Sequence, residues 1–293
     1  MTPEQAEILC RFVFDTGALL IWGAYGFLWL AVSKELEATI EHRLAWIYGT
    51  ALMLVTLAGA GKIAAQAAML DDGWQSVNPA LAIEVLEATR SGAALGLQAG
   101  FALLLFLGYV LLPRHRGPVV TLLGLPLLIS LSFSGHAAVE EGLLGLLHKA
   151  NHSLHLVAAG LWLGGLAPVL LLLQAMADDT KRSEALKGLM RFSTIGHVAV
   201  AVTLLSGLLN SWLIISATRF DLNLAYQRLL VLKIAAVATM VAIALVNRYV
   251  FVPRMHLSPR QAVRNMQIGS CVEIALGLIA VALVAAFGTM APG

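Results

Sequence analysis

The sequence predicts an all-α integral membrane protein, a polytopic helical bundle of about eight transmembrane helices with both termini on the outer side. Three observations predict it. Of 293 residues, 59% are hydrophobic and only 12% are charged, against about 25% charged in a soluble domain. Apolar runs recur at the length of ~20 residues that a helix needs to cross a bilayer core. No strand-like alternation accompanies them, and backbone groups in lipid must be satisfied within the segment, so the runs are helices.

Eight segments qualify: roughly 12–32, 44–68, 91–112, 118–138, 150–176, 192–216, 228–252 and 267–290. The third carries an early start signal, Asn78-Pro79. Orientation follows from Lys and Arg. The loops after spans 1, 3, 5 and 7 hold Lys34, Arg43, Arg114, Arg116, Lys181, Arg182, Lys187, Arg191, Arg248, Arg254, Arg260 and Arg264. The other side holds only Arg11, Lys62, Arg90, Lys149, Arg219 and Arg228, with Lys233 inside span 7. This imbalance puts the first set in the cytoplasm. The acids agree: Asp71, Asp72, Glu84, Glu87, Glu140 and Glu141 fall in outer loops.

The opening "MTPEQAEILC" is acidic and shows no cleavable signal pattern. No connection is long enough for a soluble domain, so 1–293 reads as one transmembrane domain. A net charge of +2 gives no reason to expect nucleic acid, and membrane lipid is the partner that composition implies. Cys10 and Cys271 are placed near opposite faces, ~30 Å apart, and are expected to be free thiols. The small-residue spacings Gly92-Gly96-Gly100 and Gly160-Gly164 are expected to be helix-packing sites.

One stretch breaks the apolar pattern. "GHAAVEEGLLGLLHKANHSLHL", residues 135–156, holds four of the eight histidines: His136, His148, His152 and His155. Span 4 ends near His136, and span 5 begins near His148. On a helix, positions 148, 152 and 155 fall within about 60° of one another, and His136 can close on them from span 4. Neutral imidazole is the commonest metal ligand and suits copper, zinc, iron and nickel. His148 alone is equally well explained by a headgroup or carbonyl partner. The four together favour a metal cradle, because ionisable groups in a bilayer are costly and usually functional. Glu140 and Glu141 read as solvated loop carboxylates that attract cations. A haem held between His136 and either His152 or His155 competes with the metal-ion reading.

The last spans carry their own polar groups. Lys233 lies about one turn below the outer surface, placed either to snorkel outward or to handle ions. Asn247 and Arg248 end span 7, and Glu273 lies at matching depth in span 8. An Arg248–Glu273 ion pair is expected, with His197 near enough to join, because a lone carboxylate in lipid is expensive.

These residues resemble the copper resistance protein D family. The ordered set is Arg191-Phe192-Ser193, Ser206-Gly207-Leu208, Tyr226 with Leu229-Leu230 and Lys233, Asn247-Arg248 before Pro253-Arg254, then Glu273 and the terminal small-residue segment. Upstream, Ser134-Gly135-His136-Ala137 and His155-Leu156 running into Leu161-Trp162-Leu163-Gly164-Gly165 look like the family's central signature. The resemblance covers 130–293 closely and the first 130 residues loosely. It implies a bacterial inner (plasma) membrane protein that moves copper, commonly inward from the periplasm, beside a CopC-type periplasmic copper-binding partner. No such domain is fused here, so that partner would be a separate protein. Met-rich runs are absent, and Met53, Met240, Met255 and Met290 are scattered soft donors for Cu(I).

The expected function is thus capture of a copper ion from the periplasmic side at His136, His152 and His155, with His148 met first. Import would follow toward His197 and the inner polar cluster, with Trp162, His197, Lys233, Asn247, Arg248 and Glu273 as either pathway or structural polar residues. Two alternatives remain open: a redox protein with haem or copper at the same histidines, and a copper chaperone that binds without transport. No HExxH, P-loop or GxSxG motif is present, so hydrolytic chemistry and an internal ATPase are not expected.

Overall fold

The computed structural model describes residues 1–89, 91–135, 142–215 and 221–290. Arg90, His136, Ala137, Glu140, Glu141 and Arg219, on which parts of the charge count and of the cradle rest, lie outside the described residues. The described chain forms α1 (Pro3–Ala31), α2 (Lys34–Leu70), α3 (Pro79–Ala88), α4 (Gly92–Leu111), α5 (Arg116–Leu131), α6 (Gly142–Ala175), α7 (Arg182–Ile215), α8 (Ala225–Val246), the one-turn α9 (Val252–Arg254) and α10 (Pro259–Phe287). Among the described residues, seven helices are long and apolar enough to cross a membrane: α1, α2, α4, α6, α7, α8 with its continuation to Arg254, and α10. The chain is an all-α polytopic bundle.

Local chemistry sets the starts. Thr2 caps α1 in a reciprocal box: its hydroxyl accepts from the Gln5 amide at 3.3 Å, and the Gln5 side chain accepts from the Thr2 amide at 3.1 Å. Asn78 Oδ1 accepts from the Leu81 amide at 3.0 Å, and Pro79 takes the first turn. That signal opens a separate ten-residue helix, α3, and not an extension of the third span.

The fourth span departs from expectation. α5 has 16 residues, about 24 Å of helix, and stops at Leu131 where the apolar run suggested 138. Its end is closed by tightened backbone turns: the amides of Ser132, Phe133 and Ser134 donate to the carbonyls of Ile129, Ser130 and Leu131 at 3.0, 3.2 and 3.3 Å, and the hydroxyls of Ser130, Ser132 and Ser134 add bonds to the carbonyls of Leu127, Ile129 and Leu131 at 2.6, 2.7 and 3.1 Å. α5 runs antiparallel to α4, with Gln98 Nε2 donating to Ser130 O at 3.2 Å.

Lys62, counted above as an outer cation, is a core residue 5% exposed. It donates to Gln98 Oε1 at 2.5 Å and lies 4.8 Å from the Phe14 ring centroid. The helix simply continues past it to Leu70. Removing Lys62 from the outer set widens the Lys/Arg imbalance.

α1 is the hub, packed on α2, α5, α6 and α10. Its crossing with α6 is backbone on backbone. A Cβ on Gly164 would meet Leu19 O and Leu20 O, each at 2.7 Å, and one on Gly23 would overlap Gly160 O. The Gly160-Gly164 expectation therefore holds, with α1 as partner. On α4, Gly92 sits under the α3 carbonyls of Val85 and Leu86, but Gly100 is exposed with open space around it. Gly100 faces outward and packs nothing. Cys10 and Cys271 are both free. α7 packs mainly on α6 and α8 mainly on α10, which leaves a cleft between α7 and α8 with a cavity in each half.

Candidate metal site

His148, His152 and His155 line one cavity of about 110 Å³, as the helical spacing predicts. α7 offers them a matching polar stripe of Thr203, Ser206 and Asn210, all buried. His155 Nδ1 lies 3.0 Å from Thr203 O and 3.1 Å from Ser206 Oγ. A carbonyl can only accept, so Nδ1 carries the proton and Nε2 presents a lone pair. Gly207 makes room, since a Cβ there would lie 3.0 Å from His155 Cε1.

His152 is set the other way. Asn151 Nδ2 donates to Ser206 O at 2.9 Å and to Asn210 Oδ1 at 2.8 Å. Asn210 must then turn its NH₂ to His152 Nδ1, at 3.3 Å, which puts the His152 proton on Nε2. The His152 and His155 rings lie 12° from parallel with centroids 6.3 Å apart.

The opposite walls carry charge. Arg11 and Asp15 of α1, Lys62 of α2 and Lys233 of α8 all line the cavity, and Arg11 Nε lies 3.7 Å from Asp15 Oδ2. Lys233 is thus a wall residue of the histidine cavity.

Among the described residues no three His, Cys, Asp or Glu side chains are grouped so as to hold a metal ion. What is formed is an imidazole pair with His148 behind it; His136 lies outside the described residues. Across from the described imidazoles stand hydroxyls and an amide, with no second imidazole facing them among the described residues; the haem reading rests on His136, which lies outside those residues.

A larger cavity of about 320 Å³ occupies the other half of the cleft, between α6, α7, α10 and the end of α8. Glu273, 2% exposed, lines it. Trp162 Nε1 donates to Glu273 Oε2 at 3.4 Å, and Asn247 Nδ2 donates to Oε1 at 3.0 Å. The expected Arg248–Glu273 ion pair is not formed. A π-helical turn, Asn247–Phe251, carries Asn247 against Gly269 of α10, and Arg248 lines the cavity wall instead. His197 also lines it but does not bond to Glu273. Its Nδ1 donates to Ser193 O one turn back, and its Nε2 lies 3.5 Å from the Tyr249 hydroxyl. Trp162, Leu163, Leu166, Ala199 and Met240 pack as an apolar plug between the two cavities.

Glu273→Ala leaves the Trp162 and Asn247 donors without their acceptor, at about 1–3 kcal/mol. Glu273→Gln keeps an acceptor oxygen for Trp162, and Asn247 can turn its unpartnered Oδ1 to the new NH₂, so this variant is expected to melt close to the wild type in detergent. Equal melting of both variants would remove the structural role assigned to this carboxyl.

The sequence reading missed Thr203, Ser206 and Asn210 as supports of the imidazoles, and Arg11 and Asp15 as wall residues. The signal was present. The α7 residues recur at i, i+3, i+7 in an apolar helix, and Arg11-Asp15 is an i, i+4 pair inside a span.

Fold and cavities together define a class: a multi-pass membrane protein with imidazole and carboxyl groups facing interior cavities. The comparisons narrow it. A model described as copper resistance protein D-like, N-terminal domain matches residues 2–146, and the copper resistance protein D model matches 186–287. The inner membrane protein YebZ of Escherichia coli strain K12 is 32% identical over 288 residues, covering 97% of this chain and 98% of its own. Copper resistance protein D of Pseudomonas syringae pv. tomato is 30% identical over 182 residues, 59% of each chain. Copper transport protein CutJ of Bacillus subtilis strain 168 is 34% identical over 172 residues, 55% of this chain and 31% of its own. No solved structure matches. The chain belongs to the copper resistance protein D family and is a copper-handling, multi-pass protein of the bacterial inner membrane.

Proposed function

We propose that the protein captures copper from the periplasmic side at His152 and His155, with His148 and His136 completing the donor set, and imports it. The observation that carries this reading is the Nδ1 bond of His155 to Thr203 O. An outer bond of that kind fixes the tautomer and aims the other nitrogen of a metal-binding histidine. The Lys/Arg imbalance supports a periplasmic histidine cavity, and with the short α5 returning antiparallel to α4 as an eighth crossing it supports periplasmic termini. Trp162, His197, Lys233, Asn247, Arg248 and Glu273 lie along the rest of the cleft and serve passage or its walls. A separate CopC-type periplasmic protein is the partner that would deliver the ion.

The test is copper entry into proteoliposomes loaded with a cuprous chelator. Wild-type protein is expected to fill the chelator, and His152→Ala/His155→Ala protein is not. Copper that binds without entering would make the protein a chaperone. Purified protein is expected to show no Soret band; a strong one would replace copper with haem at this site.

A further inference from the structure

The second cavity carries a donor set that the histidine site does not use. Met190 of α7, Met255 after α9 and Met266 of α10 all line it, three of the chain's nine methionines. Met266 also belongs to the main apolar core and Met255 packs against it, while Met190 faces the mouth of the cleft.

Sequence offsets along the helices put the three residues at about one depth. Met190 precedes His197 by seven residues, Met266 precedes Glu273 by seven, and Met255 follows Asn247 by eight. α7 and α10 run in one direction and α8 in the other. His197, Asn247 and Glu273 therefore form one tier, and the methionines a second tier about 10 Å farther from the histidine cavity. Met266 is 7% exposed, whereas Met190 is 60% exposed at the mouth of the cleft. The nearer tier holds a carboxyl, Glu273, to offset a cation, and Arg248 as the opposing charge. Between this cavity and the histidines lies the apolar plug, which holds a single sulfur, that of Met240.

We propose that Met190, Met255 and Met266 form a second, all-thioether site for Cu(I), at the end of the cleft remote from the histidines. Thioethers select Cu(I) over the harder divalent ions, and three of them from three separate segments can surround one ion. The site takes the ion after it passes the plug. The assignment rests on the copper-import reading for its role but not for its chemistry.

The test is Cu(I) titration of the purified full chain against a competing chelator, with X-ray absorption to read the donor atoms. Leu replaces Met at nearly constant volume, so the variant M190L/M255L/M266L is expected to stay folded. Wild-type protein is expected to bind two equivalents of Cu(I), and the triple variant one, with sulfur scattering lost. His152→Ala/His155→Ala protein is expected to keep one equivalent in a sulfur-only shell. Retention of sulfur scattering in the triple variant would overturn the assignment, as would a wild type whose single equivalent disappears with the histidines. A phospholipid or isoprenoid that fills the cavity and excludes Cu(I) from it would overturn it too. Full stoichiometry in the histidine variant, with sulfur lost only in the triple variant, would remove the histidine site and leave the thioether site standing.

Discussion

His155→Ala is expected to lower copper affinity by more than about 100-fold if the histidine cavity holds the ion as proposed, beyond the 10–100-fold range for groups that only support a ligand. The reason is the preset tautomer. His155 Nδ1 is held by Thr203 O and Ser206 Oγ, so Nε2 needs no rearrangement to bind an ion. His152 must first give up the amide of Asn210 and move its proton. Its removal is therefore expected to cost less than that of His155. Ser206→Ala removes one of the two Nδ1 acceptors and is expected to cost about tenfold. Asn210→Ala frees His152 Nδ1 and lets its proton move there, so it is expected to weaken binding less than Ser206→Ala. A chelator-competition titration of the purified variants checks the order. Wild-type affinity in His155→Ala would remove the site from this cavity.

The bundle and the histidine stripe were legible because both depend on periodicity alone. Long apolar runs have one structural solution in lipid, and i, i+4, i+7 spacing has one face. What escaped the sequence depends on which residue of a pair wins a partner. Arg248 carries the charge that Glu273 was expected to find, yet a π turn of five residues hands the carboxylate to Asn247. No periodicity announces that turn. Lys62 was counted among the outer cations although it falls inside the second apolar run, 44–68. Here Gln98 of α4 and the face of Phe14 take it into the core. α5 ends where the amides of Ser132, Phe133 and Ser134 turn to carbonyls three residues back, and hydropathy treats the serines there as mildly polar members of the run.

Gly23→Val and Gly164→Val have the largest expected effect on folding, at least about 3 kcal/mol, the top of the ordinary overpacking range. The obstruction at each is backbone, which cannot rotate aside. A Cβ at Gly23 overlaps the carbonyl of Gly160, and one at Gly164 meets two carbonyl oxygens of α1 at 2.7 Å. The helices must therefore separate. In lipid no hydrophobic force resists separation, and association rests on close packing, so each contact along the crossing weakens with distance. α1 also packs on α2, α5 and α10, so the hub of the bundle is displaced. The displacement reaches the histidines as well, since α6 carries both the glycine pair and the 148–155 stripe. Gly100→Ala is the control: a Cβ there meets open space, and alanine stiffens the helix by about 0.5–1 kcal/mol. Folded yield and melting temperature in detergent are expected to collapse for the valine variants and to hold or rise for Gly100→Ala. Whatever folded fraction of Gly23→Val survives is expected to bind copper more weakly than wild type. Valine at Gly23 melting with Gly100→Ala would mean that α1 and α6 do not cross at these glycines.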